Sequence, residues 1–228
     1  MVTHSAIGTE ALDDPATDPA LVTRMLADIA RSNTWLGGAA AVRCGMARLL
    51  DRSDRGRTLT LFDVGTGSGD LPRDAVRWAV RHGISLVPLG LERITTAAQL
   101  AKRNGVPVVV GCASALPLGA KSVDIVLASQ LVHHLDRESA IECFRAWSAV
   151  ARRGVVVADL HRRWFAAPGF RLAGAVLRLH RQTIEDGVTS VRRGYTVREM
   201  QELCVAAGIS GFKVAARPGA RVVAWWRV

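Results

Sequence analysis

The stretch LFDVGTGSGDLP, Leu61 to Pro72, runs an apolar segment straight into three alternating glycines, Gly65, Gly67 and Gly69. Glycine at this density marks backbone that must turn tightly or let another group come very close. The occupant could be a dinucleotide pyrophosphate, some other cofactor, or nothing, the loop being only a corner. The dinucleotide fingerprint GxGxxG requires a third glycine where Asp70 stands. Asp63 and Asp70 flank the loop, and each would repel a pyrophosphate by on the order of a kcal/mol or more. The loop therefore suits a ligand that packs closely, lacks phosphate and carries positive charge.

S-adenosylmethionine (SAM), with a sulfonium, an ammonium and no phosphate, meets these conditions. The following apolar run, VPLGLERI, ends in Glu92, 23 residues beyond Gly69. An acid there offers two acceptor oxygens at the spacing of a ribose diol. Further along, Gln130, His133 and His134 follow the run VDIVLAS, and Asp159 and His161 close the run VVVADL. Imidazole can take a proton near neutral pH, and an aspartate bonded to it fixes its tautomer. Either histidine serves equally as a helix cap or a packing residue, and the sequence does not separate His133 from His134. Asp159 reads equally as a strand-end residue bonded to backbone.

The elements that must position these groups alternate. Strand-like runs occur at TLTLFDV, ISLVPLGLE, VPVVVGC, VDIVLAS and GVVVADL, with helical stretches near 71–82, 94–104 and 136–150 between them. Near-continuous apolar strands separated by helices predict an α/β fold, a doubly wound and mostly parallel sheet covered on both faces. Two final strands, ISGFKVAAR and ARVVAWWRV, are joined by a turn so short that they must pair antiparallel. Apolar periodicity from Asp18 to about Leu50, broken at Gly37-Gly38, predicts two N-terminal helices. PGFRLAGAVLRLHRQ reads as one amphipathic helix, and TVREMQELCVAAG opens with a capping box, Thr196 and Glu199. Residues 1–17, polar, acidic and carrying Pro15, read as disordered.

The chain has 228 residues, 49% of them hydrophobic and 22% charged, enough for one sizeable core. No apolar run is long enough to span a bilayer, and the acidic N-terminus lacks the pattern of a secretory signal. Cys44, Cys112, Cys143 and Cys204 are isolated, with no metal-ligand spacing. Reduced thiols in a cytoplasmic protein, and no metal, are the expectation. The net charge of +10 raises nucleic acid as a partner, but no basic cluster interleaves with aromatics. Scattered solvated arginines are expected instead, and no nucleic acid.

Four segments, LFDVGTGSGDLP, GLERITTAAQLAKRN, VVVGCASALPLGAKSVDIVLASQLVHHLD and VARRGVVVADLHR, resemble the class I SAM-dependent methyltransferase family. The resemblance covers roughly residues 58–228 and is strongest to the small-molecule enzymes of quinone and polyketide biosynthesis, where an HHL segment follows the fourth strand. It implies a Rossmann-like, seven-stranded core, with residues 18–57 as a helical lid and about 161–195 as a substrate cap. It implies a SAM site built from Asp63, Gly65, Thr66, Gly67, Gly69, Glu92, Arg93, Cys112, Ala113, Ser114, Ser129 and Gln130, with His133, His134 and Asp159 at the chemistry. The family's adenine-binding acid is missing here, because Cys112-Ala113-Ser114 stands where GDA is usual. Trp164, Phe165, Phe170 and Tyr195 are expected as an aromatic wall for a planar acceptor, and the arginines of the last third as contacts for an anionic one. The implied activity is methyl transfer to a small-molecule acceptor, with oxygen favoured, in a protein that forms a homodimer. An RNA or protein methyltransferase and a non-catalytic partner subunit are the alternatives.

Overall fold

The structure, a computed structural model, describes residues 8–14 and 16–228. Seven strands form one sheet in the order β3-β2-β1-β4-β5-β7-β6. They are β1 (Thr58–Val64), β2 (Ser85–Glu92), β3 (Val108–Val110), β4 (Val123–Ser129), β5 (Ala151–Leu160), β6 (Lys213–Arg217) and β7 (Arg221–Arg227). β1 to β5 run parallel, and β7 is antiparallel to both β5 and β6, as the short connection demands. Its turn uses Gly219 and Ala220 at positive φ. Strand order reverses between β1 and β4, so the loops after these two strands open the crevice where ligands of such sheets bind.

Helices cover both faces. On one, α5 (Arg137–Val150) and α8 (Val197–Ala206) bury Phe144, Trp147 and Met200 against Phe62, Val155 and Trp226. Asp136 caps α5 by accepting from the Ser139 N–H at 2.7 Å, and Thr196 and Glu199 cap α8 reciprocally. On the other face lie α3 (Asp70–Val80) and α2 (Gly38–Leu49). α4 (Thr95–Arg103) joins β2 to β3.

Three expectations change. First, α2 is not lid: Val42, Met46 and Leu49 are buried with Leu61, Ile125, Val156 and Val223 in the sheet core. Gly45 permits the approach, since a Cβ there would collide with Val156. Only α1 (Pro19–Trp35) reaches over the crevice, burying Val22, Met25 and Leu26 on its inner side. Second, the segment expected as one amphipathic helix is two, α6 (Ala166–Val176) and α7 (Arg181–Arg193), broken at Arg178, whose φ is +51°. Third, the acidic N-terminus is structured from Gly8: Ala11–Asp13 form a turn of 3-10 helix and Glu10 is buried. Residues 1–7 and Pro15 lie outside the described residues. The reason is charge pairing. Arg193, buried on α7, donates to Gly8 O, to Glu10 Oε1 at 3.3 Å and to Asp13 Oδ2 at 3.1 Å. The Ala11 N–H donates to Asp186 at 2.7 Å. Acids that look solvated in sequence thereby find buried partners.

Candidate active site

A cavity of about 370 Å³ opens where β1 and β4 end, the scale of a small-molecule site. At its cofactor end the chain leaves β1 through Gly65, Gly67 and Gly69, all at positive φ. Glu92, at the end of β2, accepts from the Gly67 N–H at 2.8 Å through Oε2, and from the Arg93 and Ile94 N–H groups at 2.8 and 3.0 Å through Oε1. One carboxylate thus fixes both the loop and the start of the next segment. Asp63 accepts from Thr66 Oγ1 at 2.8 Å, and Asp70 accepts from Asn33 Nδ2 at 2.9 Å.

Burial pushes the Asp63 carboxyl up to about 8; the Thr66 hydroxyl lowers it, and neighbouring Asp70 and Glu92 raise it further. Asp70 is raised as well, again chiefly by burial. Three carboxylates share one wall of the cavity, and a bound cation would relieve their repulsion. These residues fit SAM and oppose a pyrophosphate. A buried chain of hydrogen bonds braces the wall. Arg221 on β7 donates to Gln130 Oε1 at 2.9 Å, Gln130 donates to Asn33 Oδ1 at 2.6 Å, and Asn33 reaches Asp70. Gln130 holds φ +52°, a conformation that side-chain residues adopt only where surroundings impose it.

At the other end the two histidines part company. Both sit in a 3-10 turn, Val132–His134. His133 is buried, and its Nδ1 lies 2.6 Å from Asp159 Oδ1, placed by the pairing of β4 with β5. Asp159 also accepts from the Leu160 N–H at 2.6 Å and the His133 N–H at 3.2 Å. Burial raises the Asp159 pKa, but the charge and hydrogen bond of His133 and the Leu160 N–H outweigh it and hold the pKa below the usual carboxylate range. An ionised acceptor at Nδ1 selects the tautomer with its proton there. Nε2, buried and without a hydrogen-bond partner among the described residues, keeps its lone pair. His134 turns the other way, its Nδ1 2.9 Å from Asp13 Oδ1.

Glu10, His133 and His134 each bring one potential metal-ligand atom within 4.8 Å of the others. Both Glu10 oxygens are already engaged, Oε2 by Ser190 at 2.8 Å and Oε1 by Arg193 at 3.3 Å. With a guanidinium already on the carboxylate, the group fits proton handling better than metal binding.

Among the residues expected from sequence, Asp63, Gly65, Thr66, Gly67, Glu92, Arg93, Cys112, Ala113, Ser129, Gln130, His133 and His134 line this cavity. Gly69 does not; it caps α3, and a Cβ there would press on Val106 at 2.8 Å, so it serves helix packing. Ser114 is also outside, 3.2 Å from Cys112 Sγ, and its hydrogen bond is the main cause that lowers the Cys112 thiol pKa. Asp159 acts through His133, and His161 bonds by its backbone to Ala220. Of the aromatic wall only Phe170 lines the cavity. Trp164 is 88% exposed, Phe165 is exposed, and buried Tyr195 donates to Val132 O at 3.2 Å. The acceptor end also contains Glu10, Asp13, Thr183, Asp186 and Ser190, none expected to line it.

Residues 62–158 match a protein-family model described as a methyltransferase domain. No curated protein sequence matches the chain. Among solved structures, the plantazolicin methyltransferase BpumL in complex with SAH superposes with a TM-score of 0.68 at 12% identity, covering 98% of this chain and 94% of that one. A SAM-dependent methyltransferase of Thermotoga maritima, described as a possible histamine N-methyltransferase, gives 0.59 at 17% identity, covering 90% and 98%. Magnesium protoporphyrin IX methyltransferase of Synechocystis with bound SAH gives 0.54 at 14%, covering 84% and 83%. The fold is the Rossmann-like methyltransferase fold. The matched domain, together with the carboxylate-walled glycine loop, makes the chain a class I SAM-dependent methyltransferase with SAM as its cofactor.

Proposed function

We propose that the protein transfers a methyl group to an oxygen of a small organic acceptor, with His133 as general base and Asp159 as its positioning residue. The observation that carries this reading is the buried His133–Asp159 pair, 2.6 Å apart, whose Nε2 has no partner although His133 lines the cavity. Bound SAM supplies an electrophilic methyl group on its sulfonium. A hydroxyl acceptor must lose a proton as it attacks, and His133 Nε2 is the lone pair available to receive it. Asp159 then stabilises the imidazolium that results. Segment 8–14, α1 and α7 enclose the acceptor and exclude water, which strengthens each of these interactions.

The walls support a small acceptor over RNA or protein: Leu12, Met25, Ile29, Phe170 and Val191 line the same cavity as the histidines. Neighbours whose names refer to plantazolicin and magnesium protoporphyrin IX are consistent with a place in small-molecule biosynthesis. A cytoplasmic location and a homodimer complete this proposal. An acceptor screen with labelled SAM, run on wild type, His133→Ala and His134→Ala, tests it. His133→Ala is expected to lower turnover of a hydroxyl acceptor by ~10² or more, since base catalysis contributes ~10²–10⁴, with SAM affinity nearly unchanged. Wild-type turnover in that variant would leave orientation and water exclusion as the whole of catalysis.

A further inference from the structure

Helix α6 has two faces of different use. Its inner face carries Phe170 into the cavity wall and packs on α7, where a Cβ at Gly187 would strike the Phe170 ring. Its outer face is apolar and bare. Starting from Trp164, just before the helix, steps of four residues reach Pro168, Leu172 and Val176, which form one stripe of a helix. Trp164 is 88% exposed, Leu172 70% and Val176 74%, and Phe165 beside them is also exposed. Adjacent large apolar side chains left in water are uncommon on a soluble domain and mark an interaction surface.

The charge around the stripe identifies the partner. From Leu160 to Ile184 the sequence holds five arginines and no acid. Two are neutralised, Arg162 by Glu199 and Arg181 by Glu185. Arg163, Arg171 and Arg178 have no carboxylate partner among the described residues, and Arg163 lies over the Phe165 ring at 5.3 Å. Apolar residues including tryptophan, flanked by unpaired arginines, form the pattern of a helix that lies in the headgroup layer of a bilayer. A complementary protein face would have to supply acids and a matching apolar groove, whereas an anionic lipid surface supplies both at once.

We propose that α6 docks flat on an anionic membrane surface, setting the acceptor cavity at the edge of the bilayer. No helix among the described residues is long and apolar enough to cross a membrane, so the contact is with the surface. With Phe170 on the opposite side of the same helix, an acceptor with an apolar tail would pass from lipid to cavity along α6; this clause rests on the reading of the cavity as the acceptor site.

Flotation of the full chain with phosphatidylcholine vesicles, with and without phosphatidylglycerol, tests the docking. The wild type is expected to float only with the anionic vesicles and to be released by salt. Each unpaired arginine brought to such a surface raises partitioning about fivefold, so Arg163→Glu with Arg171→Glu should weaken binding by more than tenfold. Trp164→Ser, Leu172→Ser and Val176→Ser combined should abolish it while leaving SAM calorimetry unchanged, since none of the three lines the cavity. Failure of the wild type to float with anionic vesicles at low salt overturns the proposal, as does flotation of the triple variant at the wild-type level. A wild-type dimer that the triple variant dissociates, without vesicle binding, assigns the face to a second copy and also overturns it. A chain that floats but does not bind SAM refutes the methyltransferase reading and leaves the docking intact.

Discussion

Asp159→Asn isolates the positioning of His133 better than any change to the histidine itself. The carboxylate is fully buried and accepts three hydrogen bonds, at 2.6 Å from His133 Nδ1, 2.6 Å from the Leu160 N–H and 3.2 Å from the His133 N–H. Asparagine preserves the shape and one acceptor oxygen but offers an N–H₂ where the second oxygen stood. If that amide faces His133, two donors oppose each other unless the ring changes tautomer and moves its proton to Nε2. The lone pair that must receive the acceptor's proton is then lost. Turnover of a hydroxyl acceptor should fall by ~10²-fold, within the range that general-base catalysis supplies. The KM for SAM should change little, because Asp159 does not line the cavity.

Stability should fall too. Removing one charge of a buried pair costs ~3 kcal/mol or more, and Arg221, buried nearby and influenced by Asp159, loses a compensating charge as well. For a domain of this size ~3 kcal/mol corresponds to roughly 6–12 °C in Tm. The pH profile carries the sign. Asp159 is held below its ordinary range in the folded chain, so its contribution is present above the unfolded carboxylate pKa of about 3.9 and disappears as pH falls through the folded value. The variant should lack that component of acid denaturation. Stopped assays for turnover, thermal melts between ~pH 3 and ~7, and SAM calorimetry read the three effects separately. Wild-type turnover in a folded Asp159→Asn protein would refute the positioning role; an unchanged acid limb would refute the charge assignment.

Two further outcomes follow from the cofactor wall. Glu92→Ala should weaken SAM by ~1.5–3 kcal/mol, seen by calorimetry, and Glu92→Gln should recover part of this by restoring an acceptor for the Gly67 N–H; equal losses in both would mean that the charge alone matters. Because burial raises the Asp63 carboxyl to about 8, the stability of the ligand-free chain should fall as pH rises from the ordinary carboxylate range of about 4 toward that value and level off above it. SAM, as a cation, should bind more tightly across ~pH 6 to ~9 with release of a proton, and a flat affinity without proton release in buffers of different ionisation heat would refute the charge of this wall.

The parallel core and the cofactor end were legible because their signals are local. A glycine triplet after an apolar strand states a backbone requirement, and Glu92 follows in the adjacent strand. Strands β4 and β5, buried on both faces, read as unbroken apolar runs. Helix α7 was not legible as a separate element because its buried side is polar: Thr183, Asp186, Ser190 and Arg193 face inward. Hydrophobic periodicity cannot register such a helix. Periodicity did find α2, but an apolar stripe does not say what it packs against, and the answer was the sheet. His133 and His134 are neighbours in one turn, so only their tertiary partners, Asp159 and Asp13, distinguish them.

The two ends of the cavity therefore differ in kind. The cofactor end is made mostly from backbone amides and carboxylates at strand termini, geometry that the fold itself supplies. The acceptor end depends on pairings between distant segments: Glu10 and Asp13 with Arg193, Ala11 with Asp186, His134 with Asp13. Each exists only once segment 8–14 has docked on α7, and each places a charged or polar group where the acceptor must fit. Solved neighbours at 12–17% identity share the sheet while their names point to different acceptors, as expected if the strand order fixes where SAM binds and the docked N-terminal segment decides what meets it. Arg193 holds the most contacts between the two segments, which makes it the residue on which acceptor selection in this chain most directly depends.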